Sequence, residues 1–148
     1  MGKKTIFFLL VLAFLQLSLL GFVSMAEETG TYKIIVNSSN PISSLTKKQV
    51  SDLFLKKVDK WDHGLKVMPV DQSITAPVRE VFSKEILNRS GRQVKSYWQQ
   101  QLFSGSSVPP PEEGSDNSIL NYVKANPGAI GYVSTSASVS DVKMVKIY

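Results

Sequence analysis

The sequence predicts a single α/β domain in which helices flank a mixed sheet. Stretches rich in β-branched residues alternate along the chain with stretches whose apolar residues recur at helical spacing. After Glu27 there is no internal repeat and no linker-like segment that would separate two domains. Strands that alternate with helices are typical of a mixed or parallel sheet with helices packed on its faces.

The first predicted strand is Tyr32–Val36, and a polar segment that ends at Pro41 closes it. The next element begins with a capping box formed by Thr46 and Gln49, and hydrophobic residues stand at the two staple positions around it. This start predicts a helix. Its predicted core face consists of Val50, Leu53 and Phe54.

A turn at residues 62–64 leads into the second predicted strand, Lys66–Val70. Pro77 is predicted to begin a second helix, because proline is favoured in the first helical turn. Ser90 and Gln93 form another capping box that predicts a third helix. The predicted inner face of that third helix consists of Val94, Tyr97, Trp98 and Leu102.

The last third of the chain begins with a predicted extended loop from Gly105 to Gly114, which contains three consecutive prolines. A short helix is predicted over Asp116–Ala125, and Pro127 and Gly128 follow its end. Two further strands are predicted at Ala129–Val133 and Val142–Ile147.

The N-terminal segment has the pattern of a secretory signal peptide. Lys3 and Lys4 precede an apolar run over residues 6–23, and Ser24 and Ala26 supply small residues before a predicted cleavage after Ala26. We expect residues 1–26 to be removed, which leaves a domain over residues 27–148 without a membrane anchor and, in a bacterium, in the periplasm. An uncleaved anchor is the alternative, because the run approaches the length that spans a bilayer.

Composition excludes several classes of protein. The 148 residues are 43% hydrophobic, carry a net charge of +5 and contain no cysteine. Much of the apolar content lies in residues 1–26, so the remainder has the composition of an ordinary globular domain. This balance argues against a disordered chain and a multi-span membrane protein. The absence of cysteine excludes disulfides, thiolate metal sites and a cysteine nucleophile.

No conventional catalytic or cofactor motif is present, so we predict a protein that is not an enzyme and needs neither metal nor cofactor. The single histidine, His63, lies in a turn, and there is no metalloprotease, hydrolase or phosphate-loop motif. Glu112 and Glu113 are interpreted as a solvated pair in a loop. The basic residues are spread along the helices without a stripe of exposed aromatics, which argues against nucleic-acid binding.

One segment has the chemistry of an oxyanion site. Residues 71–79 run from the end of a strand into a helix N-terminus, where backbone N–H groups and the positive end of the helix dipole favour anions. Ser73 and Thr75 add hydroxyl donors, and Arg79 could supply a bidentate guanidinium. The alternative is structural: Ser73 or Thr75 caps the helix while Arg79 pairs with Asp71.

A second helix start, at Ser115, has similar hydroxyl and amide character and is a weaker candidate for the same ligand. Asp116 beside it would repel an anion unless its carboxylate points away. Capping of the helix by Ser115 is again the structural alternative.

Several short segments, in order and spacing along most of the chain after residue 31, resemble the substrate-binding proteins of phosphate ABC transporters, and most closely their short, single-lobe members. The segments that carry the resemblance are Asn37 with Asn40–Ile42, Leu45–Thr46 with Asp52–Phe54, Trp61–Asp62 with Gly64, Met68–Asp71, Arg79 with Phe82, Tyr97–Trp98, Phe103–Gly105, Pro110 and Asn126–Val133.

The resemblance implies one lobe of a type II periplasmic binding protein, a fold in which two lobes close on a phosphate ion. The family's Ser-Gly-Thr element matches Ser73-Ile74-Thr75, so Ile74 replaces the glycine that allows the backbone to approach the ligand closely. The implied partners are phosphate or a similar oxyanion, together with a second lobe, a second copy of the chain or an ABC transporter component.

Two functions follow. The first is an exported domain that binds phosphate or a related oxyanion in connection with phosphate uptake. The alternative is an accessory or interaction protein that keeps the lobe fold without the ligand. In that case the proline loop from Val108 to Pro111 is a candidate contact for a partner.

Overall fold

The computed structural model describes residues 31–148, so the predicted signal peptide lies outside the described residues. Residues 31–148 form seven strands: β1 (Tyr32–Val36), β2 (Ser44–Leu45), β3 (Met68–Pro69), β4 (Asp71–Gln72), β5 (Glu112–Glu113), β6 (Ala129–Ser134) and β7 (Lys143–Ile147). The same part of the chain contains four helices: α1 (Lys47–Phe54), α2 (Pro77–Glu85), α3 (Gly91–Phe103) and α4 (Asp116–Ala125).

Five of the strands form one mixed sheet, in the order β2-β7-β1-β6-β3. The central strand β1 runs antiparallel to both of its neighbours, β6 and β7. The edge strands are parallel to theirs, β2 to β7 and β3 to β6. A separate parallel pair, β4 and β5, adjoins this sheet. The predicted α/β class, with a mixed sheet flanked by helices, is therefore confirmed.

Alternate residues of β1 enter two different cores because successive side chains of a strand point to opposite faces. Ile34 and Val36 belong to the larger core, which α1, α2 and α3 cover. Ile35 belongs to the smaller core, which α4 covers through Ile119 and Val123. Because helices cover both faces of the sheet, the last three residues of β1 are all apolar.

The larger core is built around a stack of aromatic rings. Phe82 of α2 lies parallel to Tyr132 of β6 with 3.8 Å between the ring centroids, and Phe54 of α1 packs edge-on against both rings. These three side chains are each no more than 2% exposed. Full burial of one such side chain stabilises a fold by about 1.5–3 kcal/mol. The stack therefore fixes α1 and α2 against the same strand.

Glycine at position 131 allows α4 to lie close to the sheet. A Cβ atom on Gly131 would lie 2.9 Å from Cγ2 of Ile119 and 3.0 Å from Cγ1 of Val70. Both distances are shorter than ordinary van der Waals contact. The absence of a side chain on this residue is what lets the helix pack directly on β6.

The capping boxes predicted for α1 and α3 are both present, with the hydroxyls of Thr46 and Ser90 accepting from the backbone N–H groups of Gln49 and Gln93. The predicted strand Lys66–Val70 is wrong in extent. Val70 separates β3 in the main sheet from β4 in the small one, because the chain changes neighbours there. The two-residue strands β2 and β5 were not predicted, since such short pairs depend on a partner distant in sequence.

Leu102 is the one prediction for the inner face of α3 that is wrong. Its side chain is 51% exposed, whereas Val94 and Trp98 are buried and Tyr97 is half-buried. The last turn of α3 extends past the core that the rest of the helix covers.

Candidate oxyanion site

The two helix starts singled out in the sequence follow neighbouring strands. β4 and β5 are parallel, with Asp71 opposite Glu112 and Gln72 opposite Glu113. The carboxyl ends of parallel strands meet at the same edge of a sheet, so the segments that follow them leave from one edge. Ser73 follows β4 and Ser115 lies two residues after β5, and each segment leads into a helix. The structure thus brings the stronger and the weaker candidate segment to one place.

Ser73 and Thr75 form an exposed turn in front of α2. Their hydroxyl oxygens lie 3.1 Å apart, and the backbone N–H of Thr75 lies 3.4 Å from the Ser73 hydroxyl. Two backbone hydrogen bonds hold the turn: Ser73 donates to the Glu113 carbonyl and Ala76 donates to the Ser73 carbonyl, both at 2.9 Å. Ile74 lies at the tip with its side chain 58% exposed. The two hydroxyls are therefore at the surface beside the start of the helix.

Neither hydroxyl caps α2. The N-cap residue is Ala76, and it makes no side-chain hydrogen bond to the first turn. Among the four helices of residues 31–148, α2 is alone in this respect, because Thr46, Ser90 and Ser115 cap the other three. Pro77 lacks an N–H, and the N–H groups of Ala76 and Arg79 already donate to the carbonyls of Ser73 and Ala76 at 2.9 and 3.0 Å. The structural alternative of a Ser73 or Thr75 cap is thus not what the chain adopts.

Arg79, in contrast, makes the ion pair that the alternative interpretation named. Its Nη2 lies 3.0 Å from Oδ2 of Asp71, and both side chains are less than a tenth exposed. Its Nη1 lies 2.7 Å from Oε1 of Glu112 and also donates to the Gln72 carbonyl. The guanidinium therefore joins β4, β5 and α2. Glu112 is consequently more than a solvated loop residue, which corrects the sequence interpretation.

Asp71 lies at the centre of a buried polar network. Its Oδ1 accepts from the Tyr132 hydroxyl and from the Gln72 backbone N–H, while Oδ2 faces Arg79. Burial raises the pKa of the Asp71 carboxyl, and the Arg79 charge and the two hydrogen bonds oppose that rise. Burial, together with the Asp71 charge, raises the pKa of Tyr132 far above that of a free tyrosine. Tyr132 is therefore a neutral hydrogen-bond donor at every physiological pH.

Ser115 caps α4, as its structural alternative proposed. Its hydroxyl accepts from the backbone N–H of Ser118 at 3.2 Å. The carboxylate of Asp116 turns to the sheet, where it accepts from the backbone N–H of Ser134 at 3.2 Å and from the Ser134 hydroxyl. The Gln72 side chain donates to the same carboxylate at 2.8 Å. These hydrogen bonds direct Asp116 toward β6.

The side chains at this edge carry more negative than positive charge. One guanidinium, Arg79, stands against the carboxylates of Asp71, Glu112, Glu113 and Asp116. An anion bound here would thus depend on uncharged donors, namely hydroxyls and backbone N–H groups. Within residues 31–148 no group of three or more His, Asp or Glu side chains is arranged to hold a metal ion.

A surface cavity of about 140 Å³ lies elsewhere, beside α1. None of the four predicted site residues lines it. Its lining consists of Ile42, Leu45, Gln49, Asp52, Leu53, Val58, Lys60, Trp61 and Asp62.

Sequence reasoning missed three members of the polar network: Gln72, Glu112 and Tyr132. Gln72 is 2% exposed and connects β4 to both Asp116 and the Tyr132 carbonyl. A tyrosine inside an apolar strand was the available signal, because a buried tyrosine hydroxyl requires a partner. Glu112 gave no signal, since its contact with Arg79 spans 33 residues of sequence.

A family model described as a PBP superfamily domain matches residues 30–147. The chain belongs to this family. The match covers most of the sequence and confirms the resemblance to phosphate-binding proteins of the periplasmic-binding-protein class. No curated protein matches the chain.

Solved structures show the same fold. A Clostridium perfringens protein, described as a phosphate ABC transporter substrate-binding protein and solved with bound phosphate, is 22% identical with a TM-score of 0.64. An ABC-type phosphate transport receptor from Vibrio cholerae is 18% identical with a TM-score of 0.54. PstS from Borrelia burgdorferi is 9% identical with a TM-score of 0.62. Each alignment covers 79% of this chain.

The chain spans less than half of each of these proteins, 44%, 46% and 47% of their lengths in the same order. It therefore has the fold of one part of these larger molecules, which confirms the predicted lobe. The Clostridium perfringens neighbour is named as a substrate-binding protein and the Vibrio cholerae neighbour as a transport receptor. Within residues 31–148 no helix has the length and apolar character needed to cross a bilayer.

Proposed function

We propose that this domain is a solute-binding lobe that takes phosphate or a related oxyanion at the edge formed by Ser73, Thr75 and Ser115. The observation that carries the proposal is the uncapped N-terminus of α2, beside which two exposed hydroxyls lie 3.1 Å apart. Open backbone N–H groups at a helix start attract anions, and neighbouring hydroxyls add donors. The bound phosphate in the Clostridium perfringens neighbour supports the choice of ligand class.

In this proposal Arg79 is a positioning residue and does not itself contact the ion. Its guanidinium is already paired with Asp71 and Glu112, and its side chain is only 9% exposed. The ion pairs hold β4, β5 and the start of α2 together, and this keeps the Ser73–Thr75 turn in place.

A single lobe leaves one side of the ion exposed to water. We propose that a second lobe, a second copy of the chain or a transporter component covers that side during uptake. The structural neighbours support this proposal, because the alignments cover only 44%, 46% and 47% of them. Partial enclosure also implies weaker binding than in a two-lobed protein, since desolvation strengthens each hydrogen bond to the anion.

Calorimetry with inorganic phosphate tests the proposed site, with sulfate as a second oxyanion. The protein produced from its full sequence should release or absorb heat on titration with phosphate, and the double variant Ser73→Ala/Thr75→Ala should lose that signal. Ser104→Ala is the matched control, because Ser104 is an exposed serine at the end of a different helix. If the wild type shows no heat with either anion, or if the double variant binds as well as the wild type, the proposed site is wrong.

We also propose that residues 1–26 direct export and are removed, so that the domain acts in the periplasm. The positive start, the apolar run and the small residues before Ala26 support this proposal. Mass spectrometry of the protein recovered from a periplasmic extract should give a chain that begins at Glu27. A chain that keeps Met1 and remains with the membrane fraction would contradict the proposal.

The second candidate function is an accessory or interaction protein without a ligand. The commitment of Arg79 to two carboxylates, at an edge where carboxylates outnumber cations, favours this alternative. It predicts a domain whose unfolding temperature does not change with added phosphate, whereas a ligand raises it by mass action. It also predicts capture of a specific partner from a periplasmic extract when the domain is used as bait.

A further inference from the structure

The C-terminal end of α3 carries the most exposed large apolar side chain in the described part of the chain. Phe103 is 94% exposed, its neighbour Leu102 is 51% exposed, and Val108 in the following loop is 59% exposed. Single exposed apolar residues are ordinary, whereas several in one short segment mark an interaction surface. Neither the fold nor the candidate oxyanion site makes use of them.

A tight turn brings the chain back past the end of this helix. The N–H of Gly105 donates to the Leu102 carbonyl at 3.1 Å, and the N–H of Ser106 donates to the Gln101 carbonyl at 3.0 Å. This pattern is a Schellman turn, and Gly105 has the positive φ of 67° that the turn requires. The segment after the turn therefore begins beside Phe103.

The far end of the loop is also fixed. Pro110 is buried, and the Pro111 carbonyl accepts from the backbone N–H of Asp71 at 2.9 Å. Consecutive prolines restrict the backbone to an extended form, so little conformational freedom remains to be lost on binding. We call the exposed apolar residues of this region the α3 patch: Leu102, Phe103, Val108, Pro109 and Pro111.

The patch lies in an uncharged segment of a charged protein. Residues 96–111 contain no Asp, Glu, Lys or Arg, although such residues make up 20% of the chain, and the net charge is +5. The net positive charge makes two copies of the chain repel each other at long range. A neutral surface is the place where a second copy can approach with the least like-charge repulsion.

The patch also contains both halves of a complementary contact. Exposed proline segments in extended form dock against aromatic side chains, and the residues of the α3 patch include the aromatic ring of Phe103 and the two exposed prolines Pro109 and Pro111. In a two-fold contact the same surface of each copy faces the other, so each Phe103 meets the partner copy's loop. We propose that the α3 patch is a self-complementary surface through which two copies of the chain form a weak dimer.

The size of the patch sets the strength of the association. Stable interfaces bury about 800 Å² on each partner, of which one aromatic side chain supplies about 150–250 Å². An interface centred on one ring buries less area than a stable interface does. We therefore expect a reversible dimer, whose fraction rises with protein concentration. This inference goes beyond the proposed function, because the patch includes none of the residues of the oxyanion site.

Sedimentation velocity over a series of concentrations tests the proposal with the protein produced from its full sequence. The wild type should pass from monomer to dimer, and Phe103→Ser should raise the dissociation constant at least about tenfold, because a central aromatic anchor carries much of such an interface. Met144→Ser is the matched control, since Met144 is 52% exposed on β7, outside the patch, and should leave the equilibrium unchanged.

Cross-linking locates the contact independently. The chain contains no cysteine, so each single substitution provides a unique thiol. A short bis-maleimide should join two copies of Ser106→Cys, which lies beside the patch, and should not join two copies of Ser138→Cys, which is exposed in the loop before β7. A protein that stays monomeric at all concentrations, a dimer unaffected by Phe103→Ser, or equal cross-linking of both variants would overturn the proposal.

Discussion

Arg79 and Asp71, on either side of the Ser73–Thr75 turn, form a buried ion pair with 3.0 Å between Nη2 and Oδ2. The ion pair lies on the buried side of the turn, while the hydroxyls of Ser73 and Thr75 remain at the surface. The Arg79 guanidinium, which the sequence offered as a bidentate ligand, contacts Asp71, Glu112 and the Gln72 carbonyl. Substitutions of Arg79 and Asp71 therefore test the stability of this edge, whereas substitutions of Ser73 and Thr75 test ligand binding.

Removal of the Arg79 charge should strongly destabilise the fold. Arg79→Ala leaves Asp71 buried without its cation, and loss of one partner of a buried pair costs about 3–5 kcal/mol. Urea unfolding followed by the fluorescence of Trp61 and Trp98 measures the free energy of unfolding. Arg92→Ala is the control, because Arg92 is exposed on α3 and its loss should change that free energy by less than about 0.5 kcal/mol. Equal effects of the two variants would contradict the role given to Arg79.

The two carboxylates that face Arg79 should contribute unequally. Asp71 is 7% exposed in its side chain, whereas Glu112 is 47% exposed and shares its charge with water. Asp71→Asn should therefore cost about 3 kcal/mol or more, and Glu112→Gln less than about 1 kcal/mol. The same urea titration separates them. A larger loss from Glu112→Gln than from Asp71→Asn would show that the exposed pair dominates, contrary to this prediction.

Tyr132 should make stability depend on pH in the alkaline range. Its pKa is raised by burial and by Asp71, so the folded protein keeps this proton at a pH where the unfolded chain releases it. The contribution is complete below about pH 10 and falls by about 1.4 kcal/mol for each pH unit above that value. Tyr132→Phe removes both this dependence and the hydrogen bond to Asp71, at a cost of about 1–3 kcal/mol at neutral pH.

The difference in unfolding free energy between wild type and Tyr132→Phe should therefore shrink between pH 10 and pH 11. Tyr148→Phe serves as the control, because Tyr148 is 69% exposed and the substitution should leave the pH profile unchanged. A difference between wild type and Tyr132→Phe that stays constant across this range would mean that the Tyr132 hydroxyl ionises as readily in the folded chain as in the unfolded one.

Gly128 should not tolerate a side chain. A Cβ atom there would lie 2.0 Å from the Lys66 carbonyl oxygen, a backbone atom that cannot move aside alone. The Gly128 carbonyl also accepts from the Trp61 indole and from the Met68 backbone N–H, both at 2.9 Å. We expect Gly128→Ala to cost more than about 3 kcal/mol in thermal or urea unfolding. Gly114→Ala is the control, since its Cβ would meet no atom within 4 Å, and comparable losses would refute the argument.

The elements predicted best from the sequence were those specified by neighbouring residues. The capping boxes at Thr46 and Ser90 depend on a side chain and a backbone N–H three residues apart, and both are present as predicted. The bounds of α4, Asp116–Ala125, were also predicted correctly. Leu102 was misplaced because helical spacing gives a face but does not say where the core under that face ends.

The candidate site was predicted only in part. The segment with Ser73, Thr75 and Arg79 stood out by its residue types, and the pairing of Arg79 with Asp71 was one of two alternatives left open. The proximity of Ser115 could not be predicted, because it depends on the parallel pairing of β4 with β5 across some 40 residues of chain. Binding of an anion by the hydroxyls of Ser73 and Thr75 stays a prediction, which calorimetry tests.

The sequence by itself determined the α/β class, the alternation of apolar and polar faces, and the family, because each depends on residue types and spacings along the chain. Only the tertiary structure shows the partners of Arg79. A guanidinium has the same chemistry whether it faces water or two carboxylates, and only the packing of α2 against β4 and β5 brings Asp71 and Glu112 within 3.0 Å and 2.7 Å of it. Long-range contacts of this kind are the basis for the proposal that Arg79 positions the turn.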